Sequence, residues 1–170
     1  AVSHWLEDKG QRRQQENLRL IEEYETFVRD ILVPIQKTCP KANKVFMGGN
    51  HEDWAVQLVD KAPKFEGMVE PEICLRLAER GWTWIPYLSK NQHGDVTMGT
   101  YKIGKLLMFH GMYANMYHAK KTADTMSMSS VYGHVHDVQS FTKVHVDDPR
   151  SYHTAQSIGC LCRKAPEFMK

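Results

Sequence analysis

Between Gln11 and Ile35 the apolar positions fall at Leu18, Leu20, Ile21, Tyr24, Phe27, Val28, Ile31, Leu32 and Ile35. Spacings of three and four residues place them on one stripe of a helix, with Arg and Glu on the opposite face. Pro34 and Pro40 are expected to close it. Lys44–Met47 is a short apolar run ending in Gly48-Gly49, which predicts a buried strand that stops in a turn. Helical patterning returns around Glu52–Asp60 and over Pro71–Arg80, where Pro71 suits a first helical turn and Gly81 an exit. Strands then dominate. Trp82–Tyr87 is one, Val96–Tyr101 and Lys105–Phe109 form a hairpin about Ile103-Gly104, and Ser130–Gly133 is a buried strand ending in a turn. Val138–Val146 and His153–Leu161 come next, joined by the polar loop Asp147-Asp148-Pro149-Arg150, while Ala114–Thr125 is expected as a short, Lys-rich helix. Helices alternating with strands, then mostly strands, predict an α/β fold. With no repeat, low-complexity tract or linker, residues 1–170 are expected to be a single domain.

Composition narrows this picture only a little. A net charge of +2 over 170 residues excludes a strongly electrostatic nucleic-acid binder, but not an enzyme that acts on nucleic acid in a local cleft. Cys39, Cys74, Cys160 and Cys162 do not form a disulfide framework; buried free thiols in a reducing compartment are expected. No run approaches the ~20 apolar residues of a membrane span, and the N-terminal Ala-Val-Ser-His-Trp has no signal-peptide layout. A cytoplasmic protein without membrane contact is the expectation.

The chemistry sits in three clusters, each directly after a short apolar strand. Phe46-Met47-Gly48-Gly49 leads into Asn50-His51-Glu52, Leu106–Phe109 into His110-Gly111, and Val131-Tyr132-Gly133 into His134-Val135-His136. Ligands of layered α/β folds gather at the carboxyl ends of strands. Imidazole nitrogens and an amide oxygen arriving there suit Mn, Fe, Zn or Co. Each cluster alone has a plainer explanation. Gly133–His136 is a reasonable exposed loop, His110 a capped strand end, and Asn50-His51 a turn, since Asn tolerates left-handed dihedrals. Their order is what carries weight: G-N-H-E, then strand-H-G, then G-H-x-H.

That ordered set resembles the C-terminal signature of the calcineurin-like metallophosphoesterases, whose pattern is D-x-H, G-D-x-x-D, G-N-H-[DE], H, G-H-x-H. Gly49–Glu52 match the third element, His110 the fourth and Gly133–His136 the fifth. The resemblance implies a calcineurin-like four-layer αββα sandwich, two mixed sheets packed face to face and flanked by helices. It implies a phosphoric-ester hydrolase with two divalent transition metals, Mn first, with Fe, Zn, Co or Ni also accommodated. Asn50, His110 and His134 would ligate one ion, His136 the other, and His51 would contact the phosphate and protonate the leaving oxygen. Such a pair of ions clamps the phosphate and stabilises attacking and departing oxygens alike. The expected substrate is a phosphate ester, with a lean towards diesters and nucleic acid. The alternative is a non-catalytic binding or scaffold module that retains the fold.

D-x-H and G-D-x-x-D are absent. Asp95, Asp147 and Asp148 stand after no strand in the right order and are not assigned. The expectation is therefore a domain lacking its first strands, N-terminally incomplete, which hydrolyses a generic diester poorly or not at all on its own. Trp5, Trp54, Trp82 and Trp84 are expected in core packing rather than base stacking. His118, Lys120 and Lys121 are expected on a solvated helix face, with substrate contact as the sharper alternative; His4, His93, His145 and His153 receive no role.

Overall fold

The structure, a computed structural model, describes residues 19–161 and is of mixed α/β type. Residues 19–85 pack as one compact unit and residues 86–161 as another. No helix among the described residues is long and apolar enough to cross a membrane.

In the first unit the amphipathic stripe forms α1 (Leu20–Phe27), a wider π-helical turn (Val28–Leu32) and α2 (Val33–Thr38) as one continuous rod. The part of the expected helix before Arg19 lies outside the described residues. Pro34 does not close it. The preceding turn is widened, with the Val33 N–H reaching back five residues to the Val28 carbonyl, and Pro34 falls in the first turn of α2, where its missing N–H is tolerated. The helix ends at Thr38, whose hydroxyl donates to the Pro34 carbonyl at 2.9 Å. Strands β1 (Lys44–Met47) and β2 (Trp82–Ile85) pair in parallel, with α3 (Asn50–Lys61) and the single-turn α4 (Pro71–Cys74) between them in sequence. The expected Pro71–Arg80 helix is thus much shorter. Arg76 adopts φ 50°, and the Leu77 N–H bonds the Glu72 carbonyl, five residues back, so the chain leaves the helical path before Gly81. The core is apolar: Leu20, Tyr24, Leu32, Ala55, Val69, Leu75 and Leu77 are buried, with Phe46, Trp82 and Trp84 packed against them.

The second unit is built on a five-stranded mixed sheet in the order β5 (Thr100–Ile103), β6 (Leu106–Phe109), β7 (Ser130–Tyr132), β9 (Tyr152–Ser157), β8 (Ser140–Val144). The expected hairpin about Gly104 is present as β5–β6. Val96–Met98 (β4) leaves it to pair with Leu88–Lys90 (β3) instead, a separate two-stranded ribbon. The helix α5 (His118–Thr125) starts four residues later than expected, because Asn115 holds a turn ahead of it: its side-chain oxygen accepts the Tyr117 N–H and its carbonyl the His118 N–H. Helix α5 connects β6 to β7, and these two strands run parallel. Parallel neighbours bring their carboxyl ends to the same sheet edge, so the loops after β6 and β7 emerge together.

The cysteines are not buried as expected. Cys39 and Cys160 are exposed and Cys74 is half-buried, and none of the three is in a disulfide. Cys39 lies at the C-cap of α2 and Cys160 beyond the end of β9, both past the end of the element that precedes them. Cys162 lies outside the described residues.

Candidate functional site

In the first unit the G-N-H-E motif is the start of a helix. Strand β1 ends at Met47, Gly48 donates to the Ile85 carbonyl at 2.8 Å, and α3 begins at Asn50. A Cβ on Gly48 would lie 2.6 Å from the Trp84 ring, so a larger residue there has to move the indole. Gly49 is the N-cap; its N–H donates to the Glu52 carboxylate at 2.8 Å, the reciprocal half of a capping box. Glu52, the fourth residue of the motif, therefore has a structural task. Asn50 and His51 occupy the first turn, and the His51 imidazole stacks on Trp54 with ring centroids 4.4 Å apart.

In the second unit two clusters meet. Phe109 on β6 pairs with Tyr132 on β7, so the next residues along each chain segment, His110 and Gly133-His134, leave the sheet side by side. The His110 and His134 rings stand 5.2 Å apart at 67°, and the Tyr87 ring meets His110 edge-on at 5.4 Å. Gly111 has φ 117°, and a Cβ there would lie 2.7 Å from the His134 Cβ and 3.0 Å from the Gly133 carbonyl oxygen. The two loops touch only because residue 111 has no side chain.

His134 is not on a strand. It has φ 69°, and the Val135 N–H donates to the Gly133 carbonyl at 2.9 Å across it. A bond from residue i to i+2 around a positive φ is the rarer form of the γ-turn, strained for a residue with a Cβ. Strain of this kind concentrates at functional sites. His136 comes next on an exposed bend, its carbonyl accepting from the Cys160 thiol at 3.8 Å. The two histidines therefore do not share a strand face as an i, i+2 strand pair would; the γ-turn breaks that alternation.

The neighbouring His110 and His134 rings supply nitrogen donors of the kind that suit a transition-metal ion. Among the described residues, no group of three or more His, Cys, Asp or Glu side chains is arranged to hold an ion.

The expected solvated face of α5 is corrected at His118, which is 1 % exposed. Small residues at helical spacing explain this: Ala119, Thr122 and Ala123 turn inwards with it, while Lys120, Lys121, Asp124 and Thr125 face out. Lys120 bonds Asp124 at 2.7 Å, and Lys121 lies over the Tyr113 ring at 4.4 Å. Asp95 belongs to the β3–β4 loop, where its N–H and that of His93 both donate to the Asn91 side-chain oxygen. Trp82 and Trp84 join the core as expected, whereas Trp54 is half-buried and serves as the platform for His51. Trp5 and His4 lie outside the described residues.

Compared with protein-family models, with curated proteins and with solved structures, the chain has no match.

Proposed function

We propose that this chain is a metal-dependent phosphoric-ester hydrolase of the calcineurin-like type, built on that family's four-layer sandwich. The observation that supports this reading is the approach of His110 and His134 at the ends of adjacent parallel strands, one of them held in a strained γ-turn. The two residues are 24 positions apart, each belongs to a motif of the ordered signature, and their meeting at strand carboxyl ends supports the reading.

The roles are assigned by motif position. Asn50, His110 and His134 are assigned to one divalent ion and His136 to a second. His51 delivers a proton to the leaving oxygen. Its place in the first turn of α3 puts it beside the positive end of the helix dipole, which favours an anionic group there. Stacking on Trp54 limits the rotamers its ring adopts. The substrate class is a phosphate ester, with diesters the first to be tried. When bound, the divalent ions supply positive charge against the charge developing on the phosphoryl group.

Metal content of the full chain after Mn²⁺ or Zn²⁺ loading is the decisive measurement. His134→Ala lowers bound metal, whereas His51→Ala leaves it at the wild-type level and lowers Mn²⁺-dependent turnover of bis-p-nitrophenyl phosphate by about 10²–10⁴. Equal metal loss in both variants makes His51 a ligand. A wild-type chain that retains no transition metal overturns the reading in favour of a non-catalytic binding module.

A further inference from the structure

We infer that His118 is a positioning residue that locks the His134–His136 loop, an inference that rests on the assignment of those histidines as ligands. The side chain of His118 is buried on α5, and both ring nitrogens are engaged. Nδ1 lies 2.7 Å from the Tyr132 hydroxyl, and Nε2 lies 3.0 Å from Asp137 Oδ1. Tyr132 is the residue before Gly133-His134-Val135-His136, and Asp137 is the residue after it. One imidazole on a separate helix therefore grips both ends of the four-residue motif.

The direction of the bonds is set by the groups. A carboxylate only accepts, so Nε2–H donates to Asp137; in the neutral ring Nδ1 then accepts the Tyr132 O–H. Both ends of the motif have further anchors. The second Asp137 oxygen accepts Gln139 Nε2 at 3.0 Å, and the same amide donates to the Met116 carbonyl at 2.9 Å. The Asp137 carbonyl accepts the Ser157 hydroxyl at 3.0 Å, and the Ile158 N–H donates to the Tyr132 carbonyl at 3.0 Å. Such a closed network has a purpose at this place. A non-glycine residue in a left-handed turn carries strain of order 1–3 kcal/mol and persists only where its surroundings over-determine it. Tyr132 and Asp137 are the fixed points between which His134 is held at φ 69°. A plain core histidine would tie α5 to the sheet and leave the loop's geometry to itself.

The test uses the full chain with four variants. His118→Phe keeps a ring and removes both bonds, Tyr132→Phe removes one oxygen, and Asp137→Ala changes only an exposed side chain and leaves the core intact. His153→Phe is the control. His153 is also buried on this unit, bonded to the Ala123 carbonyl at 2.7 Å and to His145 at 3.1 Å, but it flanks no motif. Hydrogen exchange of the Val135 amide, whose bond closes the γ-turn, reads the loop directly. Co²⁺ affinity and the Co²⁺ absorption spectrum read the ligand geometry. The three network variants accelerate Val135 exchange and weaken Co²⁺ binding by about 10–100-fold, the usual effect of losing a group that orients a metal ligand. The control lowers the unfolding midpoint and changes neither. If the network variants match the control in both readouts, His118 is a core residue only and the inference is overturned; Asp137→Ala decides this even if His118→Phe fails to fold. If the wild-type chain binds no Co²⁺, the functional reading falls separately, and Val135 exchange alone then decides whether His118 positions the loop.

Discussion

The two units are held together by different means. In residues 19–85 the buried side chains are Leu20, Tyr24, Leu32, Ala55, Val69, Leu75 and Leu77, with Pro71. In residues 86–161 they include His118, Thr122, Ser130, His153 and Ser157, and every buried polar residue among the described ones lies there. The first unit has an ordinary hydrophobic core, where shape and volume set stability. The second adds buried polar side chains to apolar ones such as Phe109 and Ala155, and the bonds made by His118 and Ser157 lie around the loop that carries His134. A half-satisfied polar core is costly, since an orphaned buried donor or acceptor loses its water without replacement. Such a core therefore persists where it fixes something. The one buried hydroxyl of the first core, Tyr24, donates to the Val69 carbonyl at 2.7 Å, and burial pushes its phenol well above the ordinary range.

Truncation tests this contrast with the largest expected effect. Leu77→Ala, at a fully buried position, removes transfer free energy and leaves a cavity, for about 2–5 kcal/mol in urea unfolding. His153→Phe conserves bulk but strands the Ala123 carbonyl, for about 1–3 kcal/mol. Trp54, Trp82 and Trp84 lie in the first unit and residues 86–161 hold no tryptophan, so the fluorescence of those three tracks the first unit. Hydrogen exchange in β7 and β9 tracks the second. The comparison breaks if filling the His153 site with Phe raises stability, because its polar core would then be a substitute for packing rather than a constraint on geometry.

The motif glycines sharpen it. Gly48→Ala meets the far edge of one indole ring, which can shift. Gly111→Ala meets a backbone oxygen and a Cβ, and it does so at φ 117°, which an L-residue rarely adopts. We expect about 1 kcal/mol for Gly48→Ala and about 2–3 kcal/mol for Gly111→Ala, from overpacking together with backbone strain. Gly111→Ala should also move the His134 imidazole resonances, whereas Gly48→Ala should not. Equal losses at the two sites would mean that Trp84 is as immovable as the backbone of the γ-turn.

Legibility from sequence divides along the same line. The stripe Leu20–Ile35, strand β1 and helix α3 were readable because local periodicity and glycine punctuation decide them. Strands β6 and β7 were readable too, and their carboxyl-end histidines with them. Pro34 misled, because a π-helical turn absorbed it, and Arg76 ended α4 from a conformation that no pattern announces. Helix α5 was misjudged at its most informative residue. His118 stands 14 residues from Tyr132 and 19 from Asp137, and its bonds form only once the β6–α5–β7 crossover has folded. No spacing rule links the three. The one available signal was that Ala119, Thr122 and Ala123 left α5 a small-residue face on the side of His118.

The smallest effect concerns the one charge cluster, among the described residues, that ties α5 to the edge strand. Asp124 receives Lys120 at 2.7 Å and Lys143 of β8 at 2.9 Å, and these bonds hold its carboxyl down to about 2. The folded value is below the ordinary 3.8, so the stabilisation is complete above about pH 4 and is lost as pH falls towards about 2. All three side chains are exposed to water, which keeps the contribution small and open to screening. Acid unfolding of the wild type and Asp124→Asn, monitored by exchange in β8, should show two curves that differ slightly near neutrality and converge at the acid end of that window. At about 1 M salt, where screening acts within ~3 Å, the gap should close at every pH. A gap that survives high salt would mean that Asp124 holds α5 by hydrogen-bond geometry rather than by charge. The second unit would then be governed by directional bonds on its surface as well as in its core.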